Sequence, residues 1–324
     1  MIGSLASKIY ELGVRLRHYS YDQEWRRVYK SFLPTISVGN IACGGSGKTP
    51  FTIMLARQLM QTKKVAILSR GYRSRSERKL ALMSDGTGPL LSPEEGGDEP
   101  FLMAKSLPGV MVFVGKDRTA SAKWAEKLGA EVLLLDDGMQ HRRLARDEEV
   151  VMIDGTNPIG PLLPCGKFRD LPERLKNATL IVVNRAKDRE HFAQVRQQLK
   201  SWSQAPVVGC HLQTLSKIER GPVAAFCALG NPRAFLSEVE RLGGEVRLKK
   251  IIPDHRRISS RKLEAFAKRA KSLGATEILC SEKDWVKLEK VKKYSLPINY
   301  LKCEMKITYG NDLYDAWSEK IGEL

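Results

Sequence analysis

The stretch SVGNIACGGSGKTPFTIMLARQL, residues 37–59, constrains the fold of this chain more than any other. An apolar run enters a glycine-rich turn, and the turn opens a segment with apolar Phe51, Met54, Leu55 and Leu59. The first half has the composition of a buried strand and the second the spacing of a helix. Gly44, Gly45 and Gly47 let the backbone turn its N–H groups inward around phosphate oxygens. Gly47-Lys48-Thr49 completes the pattern Gly, four residues, Gly-Lys-Ser/Thr, although Ala42 stands at its leading position. Gly44, Gly45, Ser46, Gly47, Lys48, Thr49 and Pro50 are therefore the expected nucleotide-binding residues. In that role Lys48 reaches the β- and γ-phosphates and Thr49 holds Mg2+. Pro50 falls near a helix start, where its missing N–H costs little. A ligand-free glycine turn is the competing reading, and three glycines followed by Lys-Thr between a strand and a helix weigh against it.

The same alternation continues along the chain. Short apolar runs at 35–38, 65–68, 110–114, 132–135, 150–153 and 180–183 read as buried strands. Amphipathic stretches such as 51–60 and 119–128 separate several of them. The pattern predicts an α/β fold with a mostly parallel, P-loop-type sheet flanked by helices. After SWSQAPVV a second set begins, with strands at 223–229 and 277–280 and helices at 232–242 and 260–273. It predicts a smaller α/β domain. The expected organisation is an N-terminal helical segment at 1–33, a P-loop domain at 34–215 and the smaller domain at 216–324, its last helix able to return to the first. A cleft between two such domains suits a two-substrate site.

Residues 1–33 stand apart. Ile2, Leu5, Ile9, Leu12 and Leu16 recur at helical spacing, with Lys8, Arg15 and Arg17 mostly off that stripe. The stripe either packs on its own domain or lies in a membrane interface, and Arg26, Arg27 and Lys30 favour the interface. The whole chain of 324 residues holds 54 Lys and Arg against 37 Asp and Glu, a formal charge of +17. Such an excess suits nucleic acid, lipid headgroups or a phosphorylated substrate. No basic stripe interleaves with aromatics and no nucleic-acid motif is present, which disfavours the first. The six cysteines are scattered without a C-x-x-C pair, so reduced thiols are expected. No apolar run approaches the roughly 20 residues that span a bilayer, and no secretory signal is evident. The expected location is the cytoplasmic side.

The run EVLLLDDGMQH ends a predicted strand in Asp136 and Asp137. Adjacent carboxylates there repel one another, and a metal opposite Thr49 would compensate them. A guanine reader is not matched: NRAKD at 184–188 has Asn and Asp one residue too far apart, and SEKD at 281–284 has Glu where Lys is needed. ATP is therefore the expected nucleotide. In EEGGDEP, Asp98 and Glu99 offer a base, with capping of a helix at Glu99-Pro100 as the alternative for Asp98. PDHRR at 253–257 places His255 beside Asp254.

VGNIACGGSGKTP, LSRGY, GGDEP, LLLDDGMQHRRL, DGTNPIGPLLPCGKFRD, GNPRAF, PDH and SEKDWVK follow one another in this order. In that order, over about residues 36–290, the chain resembles the tetraacyldisaccharide 4'-kinase (lipid A 4'-kinase) family. The resemblance implies a peripheral kinase on the cytoplasmic face of the inner membrane. Such a kinase moves the γ-phosphate of Mg-ATP to the 4'-hydroxyl of an acylated glucosamine disaccharide 1-phosphate. It implies Asp98 as the base, assisted by His255 with Asp254 beside it, and closure of the cleft to assemble them. It also implies Asp136 and Asp137 on the Mg2+ side, and Glu99, Arg118 and Gln140 in the site. Tyr72 would sit toward the lipid, and Asp170 would be a weaker substrate contact. Three departures are visible: Arg256 stands where the family has a second His, Asp170 where it often has Glu, and GYRSRSERK is more basic than usual, its Arg73, Arg75, Arg78 and Lys79 suiting either anionic groups or a solvated loop. A P-loop NTPase switch or metallochaperone-like protein is the rival reading.

Overall fold

The computed structural model describes residues 2–253, 256, 258–288 and 293–324. The chain forms two compact units, residues 1–212 with 305–324, and 213–304. The last twenty or so residues thus cluster with the larger unit. In chain order the first unit runs α1 (Ile2–Asp22), β1 (Thr35–Gly39), α2 (Lys48–Leu59), β2 (Val65–Ser69), β3 (Ala81–Asp85), α3 (Pro93–Gly96) and α4 (Asp98–Ser106). It continues with β4 (Met111–Val114), α5 (Arg118–Lys127), β5 (Val132–Asp136), β6 (Glu148–Asp154), β7 (Leu180–Asn184), α6 (Arg189–Leu199) and β8 (Val207–Thr214). The second unit holds β9 (Gly221–Cys227), α7 (Pro232–Arg241), β10 (Gly244–Ile251), α8 (Ser260–Ser272), β11 (Glu277–Ser281), α9 (Glu282–Trp285) and β12 (Ile298–Leu301). Then β13 (Cys303–Tyr309) and α10 (Asn311–Glu323) complete the first unit.

The larger sheet has the order β13-β8-β7-β6-β1-β5-β2-β4-β3. From β8 to β4 every pairing is parallel, and β3 joins β4 antiparallel. Its strands are apolar on both faces, as a doubly covered sheet requires. Val132 and Leu134 of β5 enter the core that Phe51 and Leu55 of α2 help fill. Leu133 and Leu135 of the same strand enter the core of Ala122 and Ala125 on α5. In β7, Leu180 and Val182 face the α2 side, and Ile181 and Val183 face Phe192 and Val195 of α6. Each such apolar side chain, fully buried, contributes about 1.5–3 kcal/mol. The α10 helix closes the first face with Tyr314, Trp317 and Ile321. Its Trp317 Nε1 and Lys320 Nζ donate to Glu148 at the start of β6, at 3.0 and 2.6 Å.

The smaller unit repeats the plan with a parallel sheet of order β10-β9-β11-β12. Here α8 covers one face through Leu263 and Phe266, and α7 the other through Phe235 and Val239.

The apolar stripe of α1 does not pack on its own unit. Leu5, Ile9, Leu12 and Leu16 are 62, 64, 57 and 59% exposed, and the polar side of the helix faces the protein instead. The helix therefore does pack on its own unit, as one of the two expectations had it, but through its polar face, with Leu5, Ile9, Leu12 and Leu16 turned outward. No helix among the described residues is long and apolar enough to cross a membrane.

Candidate active site

Parallel strands leave their chemistry at one edge, the carboxyl ends, and the turns there reach outward. β1 ends at Gly39 and the chain continues through the glycine-rich loop into α2, with Gly47 as N-cap in the left-handed region at φ 93°. Gly47 has a second constraint: a Cβ there would lie 2.6 Å from Asn184 Nδ2. That amide nitrogen donates to Ser46 O at 3.1 Å, and Asn40 Nδ2 donates to Ser46 Oγ at 2.9 Å. Arg185 grips the same loop, donating to Gly45 O at 2.8 Å and to Asp154 Oδ2 at 2.5 Å. Arg185 has φ 63°, an arrangement that costs energy and is held by its surroundings. The loop is thus braced by the ends of β6 and β7, one and two positions from β1 in the sheet but five and six strands later in the chain.

Next to β1 in the sheet, β5 ends in Asp136, with Asp137 just beyond at φ 52°. The two neighbours are treated oppositely by their surroundings. Asp136 is 3% exposed, and its bonds come from neutral hydroxyls, Ser69 Oγ at 3.2 Å and Thr52 Oγ1 at 3.4 Å. Burial, then the charges of Glu99 and Asp137, push its carboxyl well above the usual range, against the pull of Lys48. Burial alone would raise Asp137 too, but Lys48 and Arg169 outweigh it and hold that carboxyl far down. Lys48 Nζ lies 3.5 Å from Asp137 Oδ1. Arg169 meets both oxygens of Asp137 in a two-pronged pair, Nη1 at 3.0 Å from Oδ2 and Nη2 on Oδ1. Arg118, 4% exposed at the start of α5, is pulled down to about 10 by burial, against the nearby charges of Asp136 and Asp137. Its helix is capped by Asp117, which accepts from Thr119 N and Ala120 N.

Asp98 does not cap a helix. It is the first residue of α4, and the position before it is Gly97 at φ 99°, ψ 151°, which only glycine adopts freely. A Cβ on Gly97 would meet Gly71 Cα at 3.2 Å, and one on Gly71 would meet Gly96 O at 2.8 Å. The glycines of LSRGY and GGDEP therefore let two backbones touch, which brings the Tyr72 turn beside the start of α4. Tyr72 is half exposed, with the guanidinium of Arg73 over its ring at 5.1 Å. Thr49 and Pro50 lie in the first turn of α2, partly buried. Glu99 follows Asp98 and is close enough to Asp136 to raise it.

Gln140 Nε2 donates to Asn40 O at 2.9 Å and to Asp170 Oδ2 at 3.1 Å. Asp170, expected as a weaker substrate contact, is instead buried at 2% exposure with both oxygens bonded to the protein. Burial would raise it, and the bond from His18, foremost among its polar contacts, brings it down. The residue beside it, Arg169, is the one that reaches Asp137. Asn184, Arg185, Asn40 and Arg169 were not singled out as site residues by their types and spacing. The signal for Arg169 was present in the CGKFRD motif. Asn184 and Arg185 fall within NRAKD, whose spacing does not fit a guanine reader. Asp254 and His255 lie outside the described residues.

Comparison with known proteins agrees with this geometry. The sequence profile of the LpxK family, tetraacyldisaccharide-1-P 4'-kinase, matches residues 2–321. A tetraacyldisaccharide 4'-kinase of Syntrophus aciditrophicus is 36% identical, the match covering 93% of this chain and 87% of the relative. One from Chlamydia pneumoniae is 35% identical, covering 96% and 87%. The crystal structure of LpxK from Aquifex aeolicus in complex with ATP superposes with a TM-score of 0.75 at 29% identity, covering 97% of this chain and 96% of that one. The strand-end carboxylates, the braced glycine loop and these matches place the chain in the tetraacyldisaccharide-1-P 4'-kinase family.

Proposed function

We propose that this chain transfers the γ-phosphate of ATP to the 4'-hydroxyl of a tetraacyldisaccharide 1-phosphate, working as a peripheral enzyme on the cytoplasmic face of the inner membrane. The observation that carries the reading is the family match over residues 2–321 joined to a loop that sets Lys48 against Asp137 at the sheet edge. The residues fit a divalent cation. Asp136 is a buried carboxylate with long bonds from neutral hydroxyls, and burial and its acidic neighbours outweigh the pull of Lys48. Among the described residues no three acidic, histidine or cysteine side chains converge to hold a metal by themselves. A Mg2+ completed by phosphate oxygens and water has that need. Thr49 and Asp136 would hold it, with Asp137 beside them. Bound there, it would neutralise charge on the transferring phosphoryl group.

The chain's own residues do the rest. Loop amides and Lys48 bind and orient the phosphates, and Arg118 and Arg169 supply fixed positive charge beside the acidic pair. For Lys48 to reach phosphate it exchanges its contact with Asp137, which Arg169 continues to hold. Asp98 takes the proton of the attacking hydroxyl, and His255, with Asp254 beside it, orients Asp98 or adjusts its proton affinity. Glu99 and Gln140 line the site, and Tyr72 meets the lipid. The exposed stripe of α1 lies in the headgroup region, with Arg26, Arg27 and Lys30 near anionic lipid.

Purified protein with labelled ATP, Mg2+ and tetraacyldisaccharide 1-phosphate in detergent is expected to label the lipid. Hydrolysis without lipid labelling would overturn the reading in favour of an NTPase switch. For the membrane component, Ile9→Ser with Leu12→Ser and Leu16→Ser should weaken sedimentation with vesicles containing anionic phospholipid. Unchanged sedimentation would remove α1 from the interface.

A further inference from the structure

The inner face of α1 is fastened to both loops that shape the acidic pair. Ser7 Oγ donates to Leu162 O at 3.1 Å, and Tyr10 OH donates to Arg169 O at 3.0 Å. Arg17 donates to Gln140 O. His18 Nε2 lies 2.6 Å from Asp170 Oδ1, with both side chains almost fully buried. Positions 7, 10 and 18 share one helix face, and the exposed leucines and Ile9 occupy the other.

The donor and acceptor roles of the two His18 ring nitrogens follow from their partners. Its Nδ1 lies 3.3 Å from Arg142 Nη1, and a guanidinium only donates. Nδ1 therefore accepts, and Nε2 carries the proton that it donates to Asp170. Arg142 is itself tied to the helix end, donating to His18 O at 3.0 Å and to Asp22 Oδ1 at 2.7 Å. From Asp170 the contacts run on through Gln140 to Asn40 O. Asn40 Oδ1 accepts from Arg169, and Arg169 holds both oxygens of Asp137. Every link from His18 to Asp137 is made between buried or part-buried groups.

We propose that His18 is a positioning residue for phosphoryl transfer: through Asp170 it sets the segment carrying Arg169, and so the place of Asp137 beside Lys48. Helix α1 is then a working part of the site as well as a membrane contact. The inference rests on the lipid kinase reading. The two functions of the helix occupy opposite faces, which makes them separable by substitution. A histidine suits this place because it accepts from Arg142 and donates to Asp170 at once. Glutamine can do the same with its amide oxygen and nitrogen.

The test uses the full chain in detergent micelles at saturating lipid, where anchoring to a bilayer no longer limits the rate. His18→Ala should lower kcat roughly 10-fold to 100-fold, the scale of a small misplacement near the chemistry. The KM for lipid and sedimentation with vesicles should stay as in the parent protein. His18→Gln should recover most of the turnover. Added to Arg169→Ala, His18→Ala should cost nothing further, because the two act along one chain of contacts. Where His18→Ala fails to fold, Tyr10→Phe removes only the bond to Arg169 O and should lower kcat without moving the melting temperature. Parental kcat in the His18→Ala protein would overturn the inference. So would a loss fully additive with Arg169→Ala, or one that follows vesicle sedimentation. A parent protein that labels no lipid at all would instead sink the kinase reading, so the two failures are distinguishable.

Discussion

Two buried carboxylates stand at the carboxyl ends of parallel strands, one in each unit, and their surroundings differ. Asp284, 2% exposed, lies three residues beyond the end of β11 in the smaller unit. Its Oδ2 accepts from Ser281 Oγ at 2.6 Å and from Ala228 N at 2.9 Å, and its Oδ1 lies 3.3 Å from buried Lys287 Nζ. Asp136, equally buried, has two long bonds from hydroxyls and acidic neighbours in Glu99 and Asp137. Asp284 is a strap that ties the end of β9 to the start of α9 with charge already balanced. Asp136 is kept at a cost that the protein alone does not offset. The difference teaches where to look for chemistry: a buried carboxylate matters for function where the fold leaves its charge uncompensated.

Breaking this comparison starts with Asp136→Asn. Lipid phosphorylation should fall by about 10²–10³-fold, the scale for losing a group that helps meet transition-state charge. The melting temperature should stay level or rise, because an unfavourably buried charge is gone. A parallel fall in both would erase the contrast. Asp284→Ala should do the reverse. It removes a carboxylate from buried Lys287 and should cost about 3 kcal/mol of stability, while molecules that remain folded at low temperature keep their turnover. Lost turnover without lost stability would move Asp284 into the site.

The smallest effect sharpens the loop that follows Asp136. Burial, then Arg118 and Arg146, pull His141 down to about 4 from its ordinary 6.5. Its folded value lies below its unfolded one, so the unfolded chain binds the extra proton between those values. Stability should therefore fall as pH drops from about 6.5 toward 4 and level off below. His141→Gln should shrink the difference in melting temperature between neutral and mildly acidic buffer. An unchanged difference would show that other groups carry the acid limb.

The central strands were legible because burial on both faces writes them as unbroken apolar runs. Residues 35–38, 132–135 and 180–183 lie within β1, β5 and β7. β10 was not legible: at a sheet edge, GEVRLKKI carries three basic residues and no unbroken apolar run, so it reads as a solvated segment. β3 and β12, also edge strands, are not announced by the sequence either. In the site, Lys48 and the acidic pair announce themselves by adjacency to a strand end. Arg169 does not, because its tie to Asp137 spans 32 positions and depends on how the 161–171 segment folds back beside the glycine loop. Cys43 N donates to Lys167 O at 2.7 Å there, a pairing that no local pattern encodes. Asn184 and Arg185 lie in a run that resembles a guanine reader, and nothing local in it shows that both bond loop carbonyls instead.

Helix α1 turns its polar side to the protein and its leucines outward. Were those leucines seated in a headgroup layer, the enzyme and its acylated substrate would share a surface, and encounters would become two-dimensional. Rates would then follow the mole fraction of substrate in that layer, so that diluting it with inert detergent or lipid slows turnover at constant bulk concentration. The mole fraction, more than the molarity, is the concentration such a helix makes the enzyme sense.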